Sequence, residues 1–172
     1  MPAVPTRIGL LGLGGNVGDR RAQLQAAVDA LAGAGIRVLA CSSVYDTDPV
    51  GEVLDQPSFL NACVRVATEL GPRELLDAAK ALERELGRRE HDVRHGPRAI
   101  DIDVLLLGDL ELRDRRMTLP HEQLLSRRFV LIPALELDFD WALPDGRRLS
   151  DALARLTLDE GVRWAGPPLA LP

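Results

Sequence analysis

Two aspartates separated by one residue, Asp101 and Asp103, stand in the run IDIDVLLLG just past the midpoint of the chain. In an extended strand alternate residues share a face. The two carboxylates therefore point the same way, with Leu105 and Leu107, while Ile100, Ile102, Val104 and Leu106 point the other way. The acidic face turns apolar halfway along, as a strand does when it leaves a polar cleft and enters a core. Same-face Cα atoms lie ~6.5 to 7 Å apart, and two like charges at that range repel by about 2 to 3 kcal/mol at an effective dielectric of ~20. A divalent cation offsets this directly, and Mg²⁺ commonly takes one or two carboxylates, substrate phosphates and waters. An exposed strand end bathed in solvent accounts for a lone D-x-D equally well.

The residues just before the pair favour the cation. In HDVRHGPRAIDID, Arg94 and Arg98 approach the carboxylates across a Gly-Pro turn. A structural ion pair needs one arginine, whereas a metal–phosphate site needs cations for the anionic oxygens that the metal leaves uncovered. Arg84, Arg88 and Arg89 extend this basic cluster in a chain whose formal net charge is -5. The acidic average argues against nucleic acid or an anionic membrane as partner, and the longest apolar run is far below a membrane span. Cys41 and Cys63 each lie inside apolar runs and the N-terminus has no secretory pattern, so a reducing cytoplasm is the simpler reading. A Cys41–Cys63 disulfide stays open if their strands are neighbours.

The elements that must position these groups follow from periodicity. With 172 residues, 46% hydrophobic and 27% charged, the chain fits one domain, 1–172, with tails at 1–6 and 166–172. Arg7 to Leu13 reads as a buried strand broken by Gly14-Gly15-Asn16, and Asp19 caps a helix running to about Gly33 with Leu24, Val28 and Leu31 on one stripe. Ile36 to Tyr45 reads as a second strand and Ser58 to Glu69 as a third, with a loop over 46–57 between them. Pro72 opens a helix whose Leu75, Leu76, Ala79, Leu82 and Leu86 recur at helical spacing until Gly87. The polar stretch 88–99 reads as a loop before the aspartate strand. Downstream, Leu112 and Met117 to Leu119 predict a small hairpin, Glu122 to Leu137 a broken helix, and Ser150 caps a last helix to Leu156. The order strand, helix, strand, strand, helix, strand predicts an α+β fold of ferredoxin-like type with a C-terminal extension.

The run GPRAIDIDVLLLG, together with GLGGNVGDR from Gly12, SSVYDTDPVG from Ser42, QPSFLNA from Gln56 and LPHEQLLSRRFVL from Leu119, resembles the 6-hydroxymethyl-7,8-dihydropterin pyrophosphokinases of folate biosynthesis. These segments run from about residue 8 to 145, most of the chain. The resemblance implies a single ferredoxin-like domain working as a cytoplasmic monomer on ATP and a reduced hydroxymethyl pterin. Two Mg²⁺ ions would be held by Asp101 and Asp103, with Arg88 and Arg98 joining them as catalytic residues that stabilise the phosphates. It implies ATP contacts from Glu83, Arg88, Arg98, Val104, Arg116, Thr118, His121 and Arg127. The pterin would be lined by Thr47, Pro49, Val50 and Gly51, read by Asn61 and sandwiched by Phe59 and Phe129. An amide offers a donor and an acceptor, which suits the mixed edge of a pterin. Glu90, His95 and Glu122 depart from the family's pattern on the lid and adenine side. Asn16 has a supporting role, and GLGGNVGDR matches neither a Walker A loop nor a dinucleotide fingerprint. Two other readings share the fold: a palm-type nucleotidyl transferase or cyclase, and a non-enzymatic ferredoxin-like binding module.

Overall fold

A computed structural model of the chain describes residues 2–49, 53–87, 96–137, 141–157 and 161–172. In order, the elements are β1 (Arg7–Gly15), α1 (Arg20–Leu31), β2 (Ile36–Cys41), β3 (Val44–Thr47), β4 (Phe59–Thr68), α2 (Pro72–Glu85), β5 (Asp101–Leu107), β6 (Leu112–Arg113), β7 (Thr118–Leu119), α3 (Arg128–Leu135), α4 (Leu149–Arg155) and β8 (Val162–Gly166). The main sheet runs β5-β1-β4-β3-β8, and β2 also pairs with β4. Its pairings are antiparallel, with β1 between β4 and the edge strand β5, and with β4 paired to β1, β2 and β3. The fold is therefore mixed α and β on an antiparallel sheet, as the element order predicted.

Alternation along the central strands builds two cores, one on each face. Leu11, Leu13, Leu60, Ala62, Val64 and Ile102 meet Leu24, Val28 and Leu31 of α1 and Leu75, Ala79 and Leu82 of α2. On the opposite face Leu10, Cys63 and Leu105 meet Val130, Leu131 and Ala134 of α3. The helices form where their stripes and caps require. The Asp19 carboxylate accepts from the Ala22 N–H at 3.1 Å to start α1. At the head of α2, Pro72 needs no amide partner and the Glu74 carboxylate accepts from the Gly71 N–H at 2.8 Å. The short α3 is fastened to the sheet by Glu136, which accepts from the Ser43 N–H at 2.8 Å and from the Tyr45 hydroxyl.

Four expectations are corrected. Strict alternation in β5 fails because Leu10 pairs with Leu106 while Leu11 pairs with Val104, which leaves Leu105 as a bulge. Leu106 then joins Leu105 in the α3-side core and Leu107 joins Val104 on the other face. The strand expected over Ile36 to Tyr45 is two strands, because buried Ser42 and Ser43 interrupt it. The Ser42 hydroxyl accepts from the Cys63 N–H at 2.9 Å and donates to the Ser43 carbonyl at 2.8 Å, absorbing backbone groups that a continuous ladder would use. The last helix starts at Leu149 with Arg148 at its N-cap, so Ser150 lies inside the first turn and does not cap it. Leu149 is fully buried in the α3-side core, and this burial draws the helix start upstream.

The fourth correction is the tail expected over 166–172. Gly166 ends a strand paired with β3. Beyond it, Arg21 donates to the carbonyls of Pro167 and Pro168 at 3.0 and 3.3 Å, and the Gln25 amide exchanges two 2.9 Å hydrogen bonds with the backbone of Ala170. Leu169 is 3% exposed and belongs to the core beneath α1. Leu169→Ala is expected to cost about 2 to 4 kcal/mol of stability, as for other buried leucines. Denaturant unfolding checks this, and a shift under ~0.5 kcal/mol would mean that the segment is not part of the cooperative core.

Candidate active site

The register of β1 explains the site. Gly14 lies between Asn61 of β4 and Asp101 of β5, and Gly12 lies between Cys63 and Asp103. Two glycines spaced by two leave the middle of this sheet face without side chains, and a cleft of about 480 Å³ opens over them. Asn61 and Thr47 stand on one side of the bare strip, with Asp101 and Asp103 on the other. A Cβ on Gly14 would sit 2.6 Å from Asn61 Oδ1, and one on Gly15 would sit 2.2 Å from the Ala99 carbonyl oxygen. The first glycine makes room for the amide. The second lets the backbone before β5 run against β1.

On the acidic side, Arg98 Nε lies 2.6 Å from Asp101 Oδ2, with both side chains largely buried. The same guanidinium stacks 4.8 Å above the Phe59 ring. At Asp103 burial lifts the carboxyl above the ordinary range, and the Asp101 charge lifts it further, against His121, Lys80 and Arg127. His121 lines the cleft and is held by its backbone N–H to the Leu105 carbonyl at 2.9 Å. Its Nδ1 accepts from the Gln123 N–H at 3.1 Å, which assigns the proton of the neutral ring to Nε2. Burial lowers the His121 pKa, Arg127 adds to the lowering, and Asp103 and Glu122 oppose it. Arg127 stacks 5.4 Å from the Phe129 ring.

Most of the residues singled out from sequence converge here. Thr47, Phe59, Asn61, Arg98, Asp101, Asp103, His121, Arg127 and Phe129 all line the cleft. The Asn61 amide donates to the Thr47 hydroxyl at 2.6 Å, which leaves its carbonyl side for a ligand. Others lie elsewhere. The Val104 side chain is in the core on the opposite sheet face. Arg116 is exposed and pairs with Asp77, and Thr118 lines a neighbouring hollow that shares His121 and Glu122. Pro49 follows Asp48, which is itself in the cleft wall. Arg88, Val50 and Gly51, with Glu90, Arg94 and His95, lie outside the described residues.

Glu83 is 2% exposed, and its carboxylate accepts from the Ile102 N–H at 2.8 Å and from Lys80 Nζ at 3.2 Å. It thus grips the backbone between the two aspartates. Lys80 reaches the cleft lining, and sequence reading missed it although it is the chain's only lysine among 21 Lys and Arg residues. Asn16, expected in a supporting role, pins backbone on both sides of the cleft entrance. It is 4% exposed, its Oδ1 accepts from the Arg98 N–H at 2.9 Å, and its own N–H donates to the Arg98 carbonyl at 2.9 Å. Its Nδ2 donates to Gln56 Oε1 at 3.0 Å and to the Pro57 carbonyl at 2.9 Å. One side chain therefore joins the backbone of Arg98 to the loop that enters β4. Asparagine directly after a glycine turn was the only signal for it.

A carboxylate pair with adjacent guanidiniums, facing an amide and two phenyl rings across bare backbone, suits an enzyme that moves phosphate groups onto a small planar acceptor. Residues 10–139 match the family model described as 7,8-dihydro-6-hydroxymethylpterin-pyrophosphokinase. The chain is 43% identical over 155 residues to a 2-amino-4-hydroxy-6-hydroxymethyldihydropteridine pyrophosphokinase of Pseudomonas aeruginosa, covering 90% of this chain and 94% of that one. It is 47% identical over 148 residues to the protein of the same name from Methylorubrum extorquens, covering 85% and 91%. Among solved structures, a Plasmodium falciparum HPPK-DHPS chain superposes with a TM-score of 0.67 at 15% identity, covering 89% of this chain and 46% of that one. The chain belongs to the 7,8-dihydro-6-hydroxymethylpterin-pyrophosphokinase family.

Proposed function

We propose that the cleft transfers the terminal pyrophosphoryl group of ATP to the hydroxymethyl oxygen of 6-hydroxymethyl-7,8-dihydropterin, a step of folate biosynthesis. The chain is a pyrophosphokinase. The alcohol oxygen attacks the β-phosphorus and releases its proton, and the bond from the β-phosphorus to the α–β bridging oxygen breaks so that AMP leaves. The observation that carries this reading is the Asn61–Gly14–Asp101 row, in which the residue suited to a pterin edge and the residue suited to a cation stand on adjoining strands with no side chain between them.

Asp101 and Asp103 would hold two Mg²⁺ ions, which supply neutralisation of the phosphate charge. The donor set fits. Burial and the Asp101 charge raise the Asp103 carboxyl, and a divalent cation there would offset both. Among the described residues no cluster of three or more His, Cys, Asp or Glu exists, so phosphate oxygens and water would complete the shell, as is usual for Mg²⁺. Arg98 and Arg127 would bind phosphate oxygens, and His121, through Nε2–H, would donate to one. Glu83 orients the aspartate strand from behind. Phe59 and Phe129 would sandwich the pterin, and Thr47 would hold the Asn61 amide in register with it.

The sheet order β5-β1-β4-β2 supports the ferredoxin-like reading, with β3 and β8 extending that sheet. Cys41 and Cys63 are free thiols, in keeping with a reducing compartment, and among the described residues no helix is long and apolar enough to cross a membrane. Incubation with ATP, Mg²⁺ and the reduced hydroxymethyl pterin is expected to yield AMP and the pterin diphosphate, and chelation of the metal should abolish both. Inorganic pyrophosphate as the product would instead assign the cleft to nucleotidyl transfer.

A further inference from the structure

At the edge of the cleft, a set of mutually bonded charges lies where the C-terminal strand meets the segment between β3 and β4. Arg163 Nη2 donates to Asp48 Oδ1 at 2.9 Å and to Asp46 Oδ1 at 3.2 Å. Asp46 Oδ2 in turn accepts from Arg20 Nη1 at 3.1 Å, and that nitrogen reaches the carbonyl and hydroxyl of Ser58 at 3.1 and 3.2 Å. The chain Asp48–Arg163–Asp46–Arg20–Ser58 ties together the two ends of the segment that carries the pterin-side wall. Burial pushes the Asp46 carboxyl up, but the hydrogen bonds from Ser58, Arg20 and Arg163 outweigh it and hold the group below its ordinary range.

The backbone reinforces the side chains. The Asp48 N–H points to the Gly161 carbonyl at 3.4 Å. Gly161 has φ +62°, and a Cβ there would lie 2.0 Å from Asp48 Oδ2. Glycine at this position lets the strand press against the Asp48 carboxylate. Asp48 itself lines the cleft beside Thr47 and Asn61. The far end of β8 is anchored by Arg21 on Pro167 and Pro168 and by buried Leu169, so the strand is a fixed support against which Asp48 rests.

We propose that β8 is a positioning element for the acceptor side of the cleft, with Arg163 and Gly161 setting the backbone of Thr47-Asp48-Pro49 through the Asp48 carboxylate. The inference rests on the reading of that wall as the pterin subsite. Exposed ion pairs contribute little to global stability, so the effect is local: a wall held in its binding geometry loses less freedom when a ligand arrives. Asp101 and Asp103, which would hold the metal, stand across the bare strip of β1 from Asn61.

The test compares wild type, Arg163→Ala, Arg163→Lys and Gly161→Ala by two readouts. In steady-state kinetics the Ala variants are expected to raise KM for the pterin by roughly 3- to 10-fold, with KM for ATP and kcat within about twofold, and Lys should recover part of the loss. In hydrogen exchange of the unliganded protein, the amides of Asp48 and of 53–56 should exchange about tenfold faster in Arg163→Ala while β1, β4 and β5 are unchanged. Unaltered exchange at those amides, an equal rise in both KM values, or faster exchange throughout the sheet overturns the proposal. A wild type that makes no AMP defeats the functional reading separately, and the exchange result still decides whether β8 holds the wall.

Discussion

Asp103→Asn is expected to lower AMP formation by about 10³-fold or more, because a missing metal carboxylate removes several kcal/mol of transition-state stabilisation at ~1.36 kcal/mol per decade. Asparagine keeps the size and the strand position while removing the charge. The same variant should be at least as stable as wild type without metal, since it abolishes the repulsion from Asp101 and the burial of a charge that lift the Asp103 carboxyl. Activity and stability therefore move in opposite directions, as at sites where function is held at the expense of fold. Initial rates with saturating Mg²⁺ and thermal unfolding in chelator check the two halves. A variant within tenfold of wild-type activity would remove Asp103 from the metal site.

Asn16→Ala is expected to have the second-largest effect. It deletes the acceptor for the Arg98 N–H and both donors to Gln56 and Pro57. At roughly 1 kcal/mol net per hydrogen bond, the loss is about 2 to 4 kcal/mol of stability. The catalytic loss should exceed what unfolding explains, about 10²-fold in kcat/KM, because Arg98 reaches Asp101 only while its backbone stays pinned to β1. Asn16→Asp separates the two functions. A carboxylate can still accept from Arg98 but cannot donate to Gln56 or Pro57, so it should retain more activity than Ala. Equal activity in the two variants would show that the link to Arg98 is not what matters.

Much of the fold was legible because its signals are local. The Asp19 cap, the Pro72 start and the apolar stripes of α1 and α2 lie within single segments, and the structure has both helices at those positions. The elements that were missed depend on distant partners. The break at Ser42 and Ser43 needs the Cys63 backbone, and the packing of 167–170 needs Arg21 and Gln25 from the far end of the chain. The bulge at Leu105 exists only in the pairing of β5 with β1. No periodicity within β5 could announce it.

The candidate site divides in the same way. The pattern IDID and the arginines before it are chemistry that residue type and spacing express directly, whereas Asn61, Phe59 and Phe129 were nominated by the resemblance of their motifs to a known family. What only the tertiary structure decided is why they act together. Gly14 and Gly15 read as a strand break in one dimension, yet β1 runs through them, and Gly14 with Gly12 is the bare floor beside Asn61, Asp101 and Asp103. Asn16, Glu83 and Arg163 gain their importance from backbone groups and carboxylates that the fold brings to them. Side-chain chemistry is a property of the residue itself, whereas register and hydrogen-bond partnership are properties of pairs, and pairs form only when the chain has folded.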